Sequence, residues 1–206
     1  MRVIGITGGV GSGKSYVARL ICGHYPILHI STDEISRRQL KKGGEAYDGV
    51  VAEFGPSILQ ADGEVDRAAL AAVVFNDETR LKRLNELTHP FVTDEVRRII
   101  GIVDRGEVQS MLTGRPVPYR AVLVETAILK EAGYVGMCDD IWFVRAPLED
   151  RVRRLINSRS YTRERAESTI ASQATDAEFE GYCTGIIDNP DSATEHSVLT
   201  QVRELL

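Results

Sequence analysis

GGVGSGKSY, residues Gly8–Tyr16, decides how this chain reads. Gly8, four further residues and then Gly13-Lys14-Ser15 follow the phosphate-loop pattern. In that pattern successive backbone N–H groups wrap an anion, the lysine reaches the β and γ oxygens, and the hydroxyl meets Mg2+. Glycine serves there because a Cβ would hold the backbone away from the phosphate and forbid the tight turn. The first amides of the helix that follows, and its dipole, add to the attraction. The flanks have the order such a loop requires. Arg2-Val-Ile-Gly-Ile-Thr7 reads as a short buried strand, and Val17, Ala18, Leu20 and Ile21 recur at helical spacing after Ser15. The stretch therefore predicts a nucleotide held by Gly11, Ser12, Gly13, Lys14, Ser15 and Tyr16, with Mg2+ at Ser15.

Composition narrows the class. The chain has 206 residues, 43% hydrophobic and 27% charged, which suits one α/β domain with a sizeable core. A net charge of −5 leaves no basic excess with which to neutralise a nucleic acid. Cys22, Cys138 and Cys183 are odd in number and contain no Cys-x-x-Cys pair. Neither a disulfide framework nor a zinc site is expected, and a reducing, cytoplasmic location fits. Only about five apolar residues precede the glycines, too few for a secretion signal, and no run approaches the roughly 20 of a membrane span.

Elements alternate along the chain. Residues 26–31 read as a second strand, and Ser31-Thr-Asp-Glu34 opens a helix. Residues 34–104 read as helical. Within them Leu81, Leu84 and Leu87 mark one apolar face, Pro90 interrupts, and Val92, Val96, Ile99 and Val103 mark the next. Residues 104–118, with Gly106, Gly114, Pro116 and Pro118, read as a surface loop. Strands are expected at 119–126 and 140–145 with a short helical stretch between them, then helices at 147–157 and 162–174 and a last strand at 185–188. Strands separated by helices predict a parallel sheet covered on both faces. Ligands of such a sheet collect at the carboxyl ends of its strands, where Gly8, Asp33 and Glu125 fall.

A phosphate loop alone does not separate a kinase from a motor or a GTP switch. The guanine reader Asn-Lys-x-Asp of a switch GTPase is missing from the sequence. Asp33 has two readings: a base that takes the proton of an attacking hydroxyl, or a helix cap in company with Ser31 and Thr32. Glu125, ending the apolar run Ala121-Val-Leu-Val124, is either a carboxylate that holds Mg2+ through water or a surface acid. Arg151, Arg153, Arg154, Arg159, Arg163 and Arg165 suit the phosphates under a closing lid. They also suit a solvated face paired with Glu149, Asp150, Glu164 and Glu167. His89 is a substrate hydrogen-bonder or a helix-end residue.

Taken in order, these residues resemble the dephospho-CoA kinases over about residues 3–204. Ile4 to Ser15 is similar to that family's phosphate loop with its Thr-Gly-Gly lead-in. Asp33-Glu-Ile-Ser-Arg37 resembles its Asp-x-Ile-x-Arg segment, and Phe54-Gly55, Asp62-Gly63, Asp66-Arg67 and Leu70 its FG, DG and DRxxL stretch. Thr88-His89-Pro90 is similar to its His-Pro motif, Arg154-Leu155, Thr162-Arg-Glu164 and Gln173 to its lid, and Ile187-Asp-Asn189 to its segment near the adenine site. Departures are Tyr16 for a usual Thr, Ser31 for a frequent Asp, Ala127-Ile-Leu129 for Pro-Leu-Leu, and Ser158 beside Arg159 where one lid arginine is usual.

The resemblance implies a P-loop kinase with a three-layer fold, a helical acceptor-binding insert at about 34–104 and a lid at about 147–176 within one domain of residues 1–206. It implies ATP-dependent phosphorylation of the ribose 3′-hydroxyl of dephospho-CoA, giving coenzyme A and ADP. Asp33 and Lys14 would be catalytic, Arg154 and Asn189 would join the loop in binding ATP, Arg37 and His89 would join Asp33 in holding the acceptor, and Ser15 and Glu125 would serve Mg2+. A monomer or weak homo-oligomer acting on a small molecule is expected. Two rivals are another P-loop kinase of nucleosides or nucleotides and a non-catalytic nucleotide-sensing module.

Overall fold

The structure is a computed structural model that describes residues 1–74, 77–130 and 132–206. In chain order its elements are β1 (Arg2–Thr7), α1 (Lys14–His24), β2 (Ile27–Ser31), α2 (Thr32–Gln39), α3 (Tyr47–Phe54), α4 (Arg67–Val74), α5 (Glu78–Asp104), β3 (Ala121–Glu125), β4 (Asp140–Arg145), α6 (Leu148–Arg159), α7 (Arg163–Ala171), α8 (Asp176–Glu180), β5 (Gly185–Asp188) and α9 (Glu195–Leu205). Two 3-10 turns, Pro56–Ile58 and Val135–Met137, complete them. The chain divides into two compact units, residues 1–30 with 102–206, and residues 31–101.

The first unit is built on a parallel sheet of order β2-β3-β1-β4-β5. All five residues of β3, and residues 3–7 of β1, are buried, as apolar runs covered on both faces should be. Ile4, Ile6, Leu123, Trp142 and Val144 form its core with Val17, Ala18 and Ile21 of α1 and Val198 and Val202 of α9. Each such buried side chain contributes about 1.5–3 kcal/mol through water exclusion. The register pairs Ile4 with Leu123 and Ile6 with Glu125. Glu125 therefore ends its strand alongside the end of β1, where the chain turns into the glycine loop. A second cluster, Val10, Val152, Leu155, Ala166 and Ile170, seats the loop residue Val10 against α6 and α7.

The second unit closes on Val50, Ile58, Val65, Leu70 and Val74, with Leu84 and Leu87 of α5 packed against them. Asp66 caps α4, its Oδ1 accepting from the backbone N–H of Ala68 at 2.8 Å and of Ala69 at 3.1 Å.

Several expectations change. Pro90 does not end a helix: α5 runs through it for 27 residues. The ring removes one N–H and crowds the preceding turn, yet Thr88, Val92 and Val96 around it are buried, and that packing holds the helix together. Leu81, expected on the apolar face, is 45% exposed. Between β3 and β4 the described residues form only a 3-10 turn, not an α-helix. The expected helix 162–174 is two helices, α7 and α8, parted at residues 172–175. α9 was not foreseen. Residues 104–118 carry an antiparallel bridge, Gln109 to Pro116, with Met111 and Leu112 fully exposed at the tip. Among the described residues no helix is long and apolar enough to cross a membrane.

Candidate active site

The glycine loop is shaped by two left-handed residues, Gly11 with φ 79° and Gly13 with φ 87°, a conformation that costs an L side chain dearly. Gly13 is also the N-cap of α1, so the amides of Lys14 and Ser15 begin a helix with no side-chain cap on it. Those uncapped N–H groups are what a phosphate would satisfy.

The outer side of the loop is held by side chains from distant parts of the chain. Gln173 Oε1 accepts from the Val10 N–H at 2.6 Å, and Arg151 Nε donates to the Val10 carbonyl at 3.0 Å. Arg154 Nη1 donates to the carbonyls of Gly11 and Ser12 at 3.0 and 3.1 Å, while Asn189 Nδ2 donates to that of Ser12 at 2.9 Å. Arg154 is itself fixed by Asp191 at 2.8 Å and by the Asn189 carbonyl at 2.8 Å. Three consecutive carbonyls are thus drawn outward, a geometry that turns amides the other way before any anion arrives. Arg154 and Asn189, expected at the nucleotide, grip the loop that would hold it. Of the other arginines in this stretch, Arg153 pairs with Asp150 and Asp191, and Arg163 with Glu149 and Glu167. Arg165 lies 4.3 Å from the ring centroid of Tyr161. Arg153 and Arg163 are paired with acids, and Arg165 stacks on an aromatic ring.

Glu125 is not a surface acid. It is 6% exposed, accepts from the Ser15 hydroxyl through Oε1, and accepts from His29 Nε2 at 2.8 Å through Oε2. Burial alone would push its carboxyl up. The hydrogen bonds from His29 and Ser15, with the charge of Lys14, outweigh burial and hold it below the ordinary value of 4.5. An ionised carboxylate in contact with a hydroxyl at a helix start is a set of hard oxygen donors, and it fits Mg2+, which binds through one or two such groups plus phosphate oxygens and water. Tyr16 next to it has a 44% exposed side chain, which leaves its backbone amide as the group available to the loop.

In the second unit the structure identifies the residue that caps α2. Ser31 is the N-cap of α2, its hydroxyl accepting from the Glu34 N–H at 3.3 Å. Asp33 is exposed, and among the described residues its carboxylate has no hydrogen bond or ion pair. With Ser36, Arg37, Leu40 and Arg67 it lines a cavity of about 160 Å3. Asp33 and Arg37 share a helix face because they are four residues apart. His89 does not line that cavity: it stands on α5, half-buried, with its imidazole pKa lowered from 6.5 by burial.

Three contributors escaped the sequence reading. Arg67 showed only as part of a resemblance, Arg151 only as one of a run of arginines. His29 left a signal that passed unread, a polar ring between the buried Ile27 and Ile30 in a partly buried edge strand.

Comparison with known proteins places the chain by similarity. The family model "CoaE: Dephospho-CoA kinase" matches residues 2–195. The dephospho-CoA kinase of Moorella thermoacetica is 35% identical over 207 residues, covering 100% of this chain and 92% of the relative. The crystal structure of TT1252 from Thermus thermophilus superposes with a TM-score of 0.76 at 30% identity, covering 99% of this chain and 95% of that one. The dephospho-CoA kinase from Campylobacter jejuni shares the fold, with a TM-score of 0.69 at 21% identity over 100% of this chain and 98% of its own.

Proposed function

The chain belongs to the dephospho-CoA kinase family, and on that premise we propose that Asp33 is the base with which it prepares its acceptor. The protein is a transferase that phosphorylates dephospho-CoA at the expense of ATP, in coenzyme A biosynthesis.

ATP lies with its phosphates on the amides of residues 11–16, and Lys14 reaches its β and γ oxygens. Mg2+, when bound, screens the charge on those oxygens and draws them into line for transfer. Ser15 would hold it directly and Glu125 through water. Asn189 and Arg154 fix the loop and border the nucleotide. Asp33 orients the ribose 3′-hydroxyl and takes its proton as the hydroxyl attacks the γ phosphorus, with ADP leaving opposite. Arg37, with Arg67 beside it, offers cationic forks to the acceptor's phosphates, and His89 supplies a further polar group. The compact unit 31–101 is the acceptor-binding part, and residues 147–176 form the lid that excludes water from the transfer. The enzyme works in the cytoplasm as a monomer or weak homo-oligomer. Three free, half-buried thiols, each with its pKa raised by burial, accord with a reducing compartment.

One observation carries the role of Asp33: the helix is capped by Ser31, so a carboxylate is left without a structural partner in a cavity that holds two arginines. Asp33→Asn keeps the shape and removes the base. Its kcat for ADP formation with dephospho-CoA should fall by about 10²–10⁴-fold with unfolding temperature and ATP affinity retained. A folded variant that keeps full activity would refute the assignment.

A further inference from the structure

Resting on the reading that Ser15 and Glu125 receive the metal of the nucleotide, we propose that His29 is a positioning residue. It acts through Glu125 to fix the Ser15 hydroxyl in the orientation that accepts Mg2+·ATP.

His29 is out of place for a strand residue. Its neighbours Ile27 and Ile30 are 4% and 3% exposed, and the ring itself keeps only 24% of its side-chain surface. Its Nε2 lies 2.8 Å from Glu125 Oε2, and Glu125 Oε1 meets the Ser15 hydroxyl. A carboxylate offers acceptors to both contacts, so the imidazole N–H on this side belongs to Nε2. The result is one directed chain from imidazole to carboxylate to hydroxyl. A serine whose proton is committed to a carboxylate presents its lone pairs elsewhere, and a lone pair is what a cation needs from it. A rigid ring fixes the carboxylate plane better than a flexible donor does. Without that donor, the 6% exposed carboxylate loses one of its contacts and turns toward those that remain, Lys14 being the nearby charge. The Ser15 hydroxyl then loses its fixed acceptor. Groups that orient a metal's ligands from behind in this way commonly change metal affinity by about 10–100-fold when removed.

The test compares the wild type with His29→Val, which suits a strand and carries no donor, and His29→Gln, whose amide reaches about as far as Nε2. ATP binding is measured by calorimetry over a series of Mg2+ concentrations and again with the metal chelated. Steady-state kinetics with dephospho-CoA and a thermal melt accompany it. His29→Val should raise the Mg2+ concentration for half-maximal binding by about 10-fold, with a matching rise in KM for ATP and little change in kcat at saturating Mg2+. Its metal-free ATP affinity should stay at the wild-type value, and His29→Gln should return most of the Mg2+ response. Should His29→Val not fold, His29→Phe carries the same expectation. Wild-type Mg2+ dependence in the donor-less variant, an equal loss of metal-free affinity, or a Gln variant no better than Val each overturns the role of His29 alone. A wild type whose ATP affinity ignores Mg2+ overturns the metal reading and this inference with it.

Discussion

The side-chain amide of Asn189 donates to the Ser12 carbonyl at 2.9 Å across 177 residues of sequence. Asn189 is 5% exposed and Ser12 is 1% exposed, so neither group has water to fall back on. Removing the amide leaves the buried carbonyl with Arg154 alone, at a cost of about 0.5–1.5 kcal/mol. Asn189→Ala should therefore lower the unfolding free energy by that amount in a urea titration. It should also weaken ATP binding measured by calorimetry, because the loop is no longer preset.

Arg154 spans the carbonyls of Gly11, Ser12 and Asn189 with one planar group while pairing with Asp191. A lysine ammonium is a point charge and does not reach three carbonyls in a fork. Arg154→Lys should raise KM for ATP nearly as far as Arg154→Met does. Equal kinetics for Arg154→Lys and wild type would mean that charge, not shape, is what the loop draws from this residue.

At Gly13 the backbone and its surroundings agree. The φ of 87° costs a non-glycine residue about 1–2 kcal/mol, and a Cβ there would fall on the Asn189 side-chain amide. Gly13→Ala should abolish the rise in melting temperature that ATP confers while lowering the melting temperature of the free protein by only a few degrees.

His89 supplies a pH dependence whose sign follows from its burial. Its folded pKa lies below 6.5, so the unfolded chain binds a proton at a higher pH than the folded one. The stability associated with the neutral ring is complete above pH 6.5 and is lost as the pH falls through the folded value. His89→Gln should flatten the decline in urea midpoint between about pH 7.5 and 5.5 relative to wild type. An unchanged slope would locate the acid sensitivity elsewhere.

Leu155 is 2% exposed and packs with Val10, Val152, Ala166 and Ile170. Leu155→Ala should cost about 2–5 kcal/mol of stability in denaturant titration. It should raise KM for ATP as well, since the cavity opens beneath the residue that anchors the glycine loop.

The sequence disclosed what is local. β1, the loop and α1 were legible because the phosphate pattern, the strand before it and the helical spacing after it lie within 24 residues. β3 and β4 were legible as unbroken apolar runs. Periodicity reports a face but not how far along a helix that face is covered, so Leu84 and Leu87 were placed correctly and Leu81 was not. Pro90 was read as a break because the penalty of proline is local and the burial that offsets it is not. α9 escaped because its two buried residues, Val198 and Val202, stand among polar ones. The capping rivalry at 31–33 needed coordinates, since Ser31 and Asp33 are equally good caps on paper. Glu125 was found in sequence but its partner His29 was not, because their contact crosses 96 residues.

The hold on the loop has a consequence for how the protein is made. Among the described residues, the side chains that hydrogen-bond to the backbone of residues 10–12 come from residues 151–189, so synthesis produces the glycine loop well before its restraints. A chain still on the ribosome and shorter than about 190 residues carries the phosphate pattern without the frame that shapes it, and contacts so distant in sequence form late. Grip on nucleotide is thereby withheld from the nascent polypeptide and granted only once residues 151–189 have followed the loop out.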